Sequence, residues 1–329
     1  MFNKEAEGMG STGKGSIRGY LCVMTAAILW ASSGTAGKAL FGTGMTPFEL
    51  VQIRVTLSTV LMAVTFGISC RAYLRIRIKD LGYFVLLGSV GMALVQGTYF
   101  YAISKIQVAA AILLQYMAPI LVAIFSICFW KERLTVFKTA ALVLAFGGCY
   151  LVVGGYNLQL LEMNRVGIMA GLLAAVCFAG YTLLGERGMH RYSPWTVLFY
   201  ALAFSAVAWH VFYAPFHYLN AGFSRAQWGW IFYITVAGTI LPFGLYFMGI
   251  NYIRSTRASI TAILEPICAG FMAFVALGET MEILQIIGGL LVISAIILLQ
   301  VKQEYDEMAP AVIRARTWPG ENPNPPPHF

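Results

Sequence analysis

Residues 97–132 recur at 244–279 without a gap, each matched pair standing 147 residues apart. Gly97, Tyr99, Phe100, Ile103, Ile106, Ala111, Pro119, Ile120 and Glu132 fall on Gly244, Tyr246, Phe247, Ile250, Ile253, Ala258, Pro266, Ile267 and Glu279, and Pro47 falls on Pro194. A chain written twice at a fixed offset folds as two like units, so any fold proposed for it must divide in half. What remains open is the medium in which the halves fold and whether they run the same way.

Composition settles the medium. The chain is 59% hydrophobic and 11% charged, whereas about a quarter of the residues of a soluble domain are charged. A span in lipid needs about 20 apolar residues and satisfies its backbone as a helix. Ten such spans are expected, at approximately 20–41, 48–69, 81–103, 107–129, 136–154, 166–185, 194–213, 228–251, 257–277 and 283–301. The fold class is therefore an all-α polytopic membrane protein. It comprises a polar N-terminal segment (1–16), a five-helix repeat (17–154), a linker (155–165), a second five-helix repeat (166–301) and a tail (302–329) expected to be disordered for want of an apolar face. A reading of residues 1–41 as a cleaved signal peptide fits less well, because the apolar run is long for one and its loss would leave the first half unpaired.

Five is an odd number, so the second half enters the membrane from the side opposite to the first. Such inverted repeats place a substrate near the midplane where the halves meet, and rocking one half against the other gives alternating access. Basic residues fix the orientation. With the N-terminus inside, Lys4, Lys14, Arg18, Arg71, Arg75, Arg77, Lys79, Lys131, Arg133, Lys138, Arg187, Arg191, Arg254, Arg257, Lys302, Arg314 and Arg316 face the cytoplasm, against Lys38, Lys105, Arg165 and Arg225 outside. Both termini are expected at the cytoplasmic face of a cell (inner) membrane. The net charge of +8 is this bias and not a nucleic-acid patch.

Trp30 in the first span, Pro47 through Arg54 opening the second, and the paired stretches QYMAPILVAIFSICFWKERLT and ILEPICAGFMAFVALGET together resemble the drug/metabolite transporter superfamily in its ten-helix EamA-type branch. The resemblance spans residues 17–301. It implies export or exchange of small metabolites, often amino acids, through a central cavity lined by helices of both halves, and leaves the metabolite unspecified.

Glu265, about nine positions into the ninth span and directly before Pro266, is the leading candidate for substrate contact. An acidic side chain at that depth costs roughly 2.5 to 3.5 kcal/mol on insertion scales, so it is partnered or functional. It would hold a substrate amine or carry a proton; the plain alternative is a protonated Glu bonded to a neighbouring helix. Its repeat mate is Ala118, and the nearest amides in the first half are Gln115 and Gln96. Pro119 and Pro266 each remove a mid-span hydrogen bond and free the carbonyls of Gln115 and Ala262, giving either a hinge beside a cavity or a packing kink. Arg54, about six residues into the second span, would clamp a substrate carboxylate with its paired donors or form a structural ion pair, for instance with Glu49 or Glu186. Tyr116, beside Gln115, and Trp30 are the aromatic candidates for the cavity wall. Glu132 and Glu279 read as caps at helix N-termini, where a carboxylate gains about 0.3 to 1 kcal/mol. Gly167 and Gly171 have the spacing of close helix packing.

Residues 34–39 lack the spacing of a phosphate loop, so transport is expected to be secondary. The six cysteines form no C-x-x-C pair and the four histidines no ligand motif, so no cofactor, metal or catalytic residue is implied. A polytopic enzyme would need a nucleophile with its base, and none is visible; a receptor would not need inverted halves. Within transport, a multidrug or nucleotide-sugar carrier is the second reading, and the latter would want more cavity cations than Arg54 and Lys38. The expected partners are a small-molecule substrate and the lipid bilayer. The oligomeric state is left open, a homodimer included.

Overall fold

The structure, a computed structural model, describes residues 2–106, 108–130, 132, 135–153, 155–156, 164–213, 218, 222–277, 282–301 and 308–317. The described residues are mostly helical, with no strand among them. Ten helical units follow one another: α1 (Phe2–Phe41), α2 (Pro47–Ser69), α3 (Ile78–Lys105), α4 (Val108–Gln115 and Ala118–Trp130), α5 (Val136–Val152), α6 (Arg165–Met189), α7 (Pro194–Phe212), α8 (225–253), α9 (255–262 and Leu264–Leu277) and α10 (Ile283–Val301). Six stretches of the described chain are long and apolar enough to cross a bilayer, the last of them, Arg225–Ala262, running from α8 into α9; Val136–Val152 and Ile283–Leu299 are apolar but shorter.

The two repeats share local detail. α2 and α7 each begin with proline at the first helical position after a hydroxyl cap: Thr46 Oγ1 accepts from Glu49 N and Ser193 Oγ from Thr196 N, positions that are repeat mates. Proline costs nothing there, because its missing N–H would have no partner in the helix. α3 and α8 each carry a π-helical turn, at Leu86–Met92 and Val236–Ile240. Packing follows the same pseudo-symmetry. α1 lies against α8 and α9, α6 against α3 and α4, α2 against α7, and α5 against α10.

Small residues let these backbones meet. As their spacing suggests, Gly167 and Gly171 face Ile106 and Leu114 so closely that an added Cβ would stand 2.5 and 2.7 Å from them. The α5–α10 contact is backbone against backbone, since a Cβ on Gly148 would lie 2.6 Å from the carbonyl oxygen of Gly288, and one on Gly288 equally near that of Gly148.

At one end of the bundle, here the basic end, lie Arg71, Arg75, Arg77, Lys79, Arg187 and Arg191, the start of α3 and the close of α6. There the tail departs from the expected disorder. Residues Pro310–Thr317 form a further helix, α11, and buried Arg314 donates from Nη1 to the carbonyls of Met189 (2.5 Å) and Tyr192 (2.9 Å). It thereby satisfies acceptors that the end of α6 leaves open. The proline-rich residues 318–329 and most of the 155–165 linker lie outside the described residues. Next to Arg314, burial and the charges of Arg254, Arg314 and Arg187 push the His190 imidazole down to about 4.

Two expectations follow. Gly148→Ala or Gly288→Ala should lower the thermal midpoint of the detergent-purified protein, the overpacking costing about 1 to 3 kcal/mol, whereas Gly147→Ala, which meets nothing within 4 Å, should not. His190 is held neutral in the fold. Its contribution is fully present above the ordinary histidine value of about 6.5 and drains away as pH falls from there toward 4, so melting curves should shift down between pH 7 and pH 5, and His190→Asn should flatten that shift.

Candidate functional site

Pro119 and Pro266 do more than kink their spans. α4 stops at Gln115, turns through Tyr116 and Met117, and restarts at Ala118; α9 turns at Ile263 and restarts at Leu264. Each proline thus sits in the first turn of a new helix, where its ring clashes with no preceding carbonyl. Because these breaks are repeat mates, they bring two interrupted helices, one from each half, to the same level of the bundle.

Tyr116 joins them. Its hydroxyl lies 2.6 Å from Glu265 Oε2 and 3.0 Å from the carbonyl oxygen of Ala262, the acceptor that Pro266 deprives of an amide partner. Glu265 stands in the first turn of its helix segment, where the free amides favour a carboxylate. A phenol has one proton, so an ionised Glu265 and the Ala262 carbonyl compete for a single donor. A proton on Glu265, or a cation beside it, makes up the shortfall. Tyr99 of α3 is within electrostatic range of both Glu265 and Arg54.

Arg54 is buried but holds no carboxylate. Its Nε donates to Thr239 Oγ1 (2.9 Å), its Nη2 to the carbonyl of Gly238 (2.8 Å), and its guanidinium lies over the Phe100 ring at 5.8 Å. The structural ion pair considered for it with Glu49 or Glu186 is not formed. Glu49 instead completes the cap of α2 by accepting from Thr46 N (2.8 Å), and Glu186 is engaged by Arg254. Both partners lie in the π-helical turn of α8; Pro242, four residues on, has no N–H to give the Gly238 carbonyl, and Thr239 Oγ1 itself donates to the Ile234 carbonyl (2.9 Å) while accepting from Arg54.

Trp30 lies apart from the Tyr116–Glu265 pair, in an aromatic cluster of Phe178, Phe243 and Tyr246 with ring centroids 5.0 to 6.3 Å away, and its Nε1 is buried without a partner. Gln96 is also buried. It donates weakly to Met92 Sδ (3.7 Å), while its Oε1 has no partner. Gln115 ends the first half of α4, half-buried. A cleft of about 760 Å³ at the basic end, among Asp80, Tyr83, Arg187, His190, Arg191 and Ile313, contains none of these residues.

The cap expected at Glu132 is not there. Thr135 caps α5, accepting from Lys138 N, and Glu132 is buried in a charge cluster: Oε1 takes Lys138 Nζ at 3.0 Å, while Oε2 takes Thr256 Oγ1 at 3.0 Å and lies 3.6 Å from Arg254 Nη2. Arg254 Nε reaches Glu186 Oε1 (3.0 Å), whose other oxygen accepts Ser255 N (2.7 Å). Arg254 was absorbed in the sequence by the basic-loop pattern. The usable signal was the short interval between spans eight and nine, in which Arg254 has no room to leave the bundle. Glu279 lies outside the described residues.

Comparison with known proteins agrees with this architecture. The family described as the EamA-like transporter family matches twice, at residues 17–154 and 165–301. An uncharacterized transporter of Archaeoglobus fulgidus is 31% identical over 74% of this chain and 86% of its own length. The uncharacterized inner membrane transporter YicL of Salmonella typhimurium is 27% identical over 88% of this chain and 96% of its own. A solved structure titled only as the crystal structure of a protein superposes with a TM-score of 0.68 at 17% identity, covering 86% of this chain and 96% of that one, which speaks to the fold alone. With two family matches that together take in both five-helix halves, the chain belongs to the EamA-like transporter family.

Proposed function

We propose that this chain is a secondary transporter, an exporter or exchanger, of small metabolites that carry an amino group, amino acids foremost, and that Glu265 is the group that receives them. The observation that carries the reading is the Tyr116–Glu265–Ala262 triangle: two acceptors and one hydroxyl proton at the meeting point of two broken helices. A substrate ammonium or a proton supplies what the triangle lacks, so binding and release of a cationic group is the chemistry this point favours. Arg54, buried and tied to the π turn of α8, is proposed as the positive pole for a substrate carboxylate. Gln96, Gln115 and Trp30 stand on the helices around it and are proposed as secondary contacts.

The basic end is assigned to the cytoplasm of the cell membrane by the distribution of Lys and Arg. Family membership speaks for carriage rather than catalysis.

The test is counterflow into proteoliposomes preloaded with the same compound, across a labelled panel of aromatic, aliphatic and acidic amino acids, a polyamine and a nucleotide sugar. Glu265→Gln keeps size and removes charge, and should cut flux of the transported compound to about a tenth or less, the usual scale for a lost charge-assisted hydrogen bond. Tyr116→Phe leaves the carboxyl in place and should reduce flux by several-fold only. Near-normal flux in folded Glu265→Gln contradicts the assignment of Glu265. Flux of the nucleotide sugar alone contradicts the amino-group class.

A further inference from the structure

Repeat mates are not in the same state. Residues 255–262, the opening segment of α9 at the basic end, are buried on every face of the helix. Their mates at the opposite end of the bundle are residues 108–115 of α4; of the five whose side chains are described, only Ala111 is buried, and Ile112, Leu113, Leu114 and Gln115 are partly exposed. In a protein of two inverted halves, such a difference between equivalent segments marks which end of the path is closed. Here it is the basic end.

The closed end is pinned by charge. Glu132 from the α4–α5 connection, Lys138 of α5, Glu186 of α6 and Arg254 between α8 and α9 form one buried cluster of four charges, with Thr256 and the Ser255 amide bonded into it. Arg254 also holds the one positive φ outside glycine among the described residues (φ 65°, ψ 168°). A side chain in that region persists only where its surroundings impose it. The imposing contacts are the two carboxylates and Trp130, over whose ring the guanidinium lies at 5.7 Å. The opposite end cannot copy this arrangement. At the same 147-residue offset, Lys138, Arg254 and Glu186 correspond to Gln285, Gln107 and Ala39, so of the four charges only Glu132 has a charged mate, Glu279.

We infer that Glu132, Lys138, Glu186 and Arg254 form a one-sided electrostatic latch, which holds the basic end shut in the resting protein and must open in each cycle, with the Arg254 backbone as its hinge. Because the opposite end lacks three of the four charges, the latch biases the two-state equilibrium toward closure at the basic end. This inference rests on the transport reading for its purpose, but not for its test.

The test uses the full chain in membranes with its six native cysteines replaced, carrying either S259C or I112C, which are repeat mates at the two ends. A membrane-impermeant maleimide is applied from each face in turn, to intact cells and to inverted vesicles. In the parent, I112C should label and S259C should be protected. Glu186→Gln, which keeps an acceptor for Ser255 N but removes the charge facing Arg254, should speed S259C labelling by about tenfold or more and slow that of I112C. Should Glu186→Gln fail to fold, the double variant Glu132→Gln/Lys138→Gln removes one charge of each sign from the same cluster and should act in the same direction. Unchanged S259C protection in a folded variant overturns the latch, as does S259C labelling in the parent as fast as that of I112C. Lost protection without flux of any panel compound would uphold the latch and remove the transport reading, whereas Glu265-dependent flux with unchanged protection would do the reverse.

Discussion

Every backbone N–H and C=O in a lipid-embedded chain must find its partner inside the protein, and the rest of this structure follows from how that requirement is met and where it is relaxed. Eight of the ten helical units meet it with continuous helices, two of these eased by π turns; α4 and α9 do not. At their breaks, proline removes a donor and a side chain from the other half of the molecule makes good the loss: Tyr116 of α4 serves the Ala262 carbonyl of α9. The same hydroxyl serves Glu265. A backbone deficit, a carboxylate and the contact between the halves therefore coincide at one point of an otherwise apolar bundle.

The two halves share a frame but not a chemistry. Caps, π turns and helix breaks recur at equivalent places, and the glycines of α5 and α10 meet each other across the bundle, so the scaffold is duplicated down to local detail. The charged groups are not. Glu265 answers to Ala118, Glu186 to Ala39 and Arg254 to Gln107. A symmetric scaffold can populate two states related by its two-fold axis with equal ease, and unequal side chains then decide which is preferred. Buried ion pairs add little net stability over an apolar filling, but breaking one leaves an uncompensated charge. Such pairs are thus better suited to separating two states than to holding up a fold.

Much of this was legible in the sequence. The constant offset gave the duplication, the apolar runs gave the spans, and Glu265 beside Pro266 marked the break that Tyr116 bridges. Three features were not legible, each for a physical reason. Arg254 and Glu132 fit other patterns, a basic loop and a helix cap, and only their burial exposes the cluster they make. The partners of Arg54, the Gly238 carbonyl and the Thr239 hydroxyl, lie far along the chain in the other half, and nothing in hydropathy pairs them with it. The helix at Pro310–Thr317 was hidden by the proline-rich stretch that follows it.

The central claim is that two inverted halves move about a fixed site so that the ends of the bundle open in turn. Pulsed electron-paramagnetic-resonance distances measure this directly, with one spin-label pair across the basic end, between the close of α6 and the start of α9, and another across the opposite end, between the start of α4 and the start of α6. We expect each pair to give two populations, with the basic-end pair mostly short at rest, and any condition that lengthens it to shorten the other in proportion. Distances at the two ends that change independently, or that lengthen together, would contradict a path that opens to one side at a time.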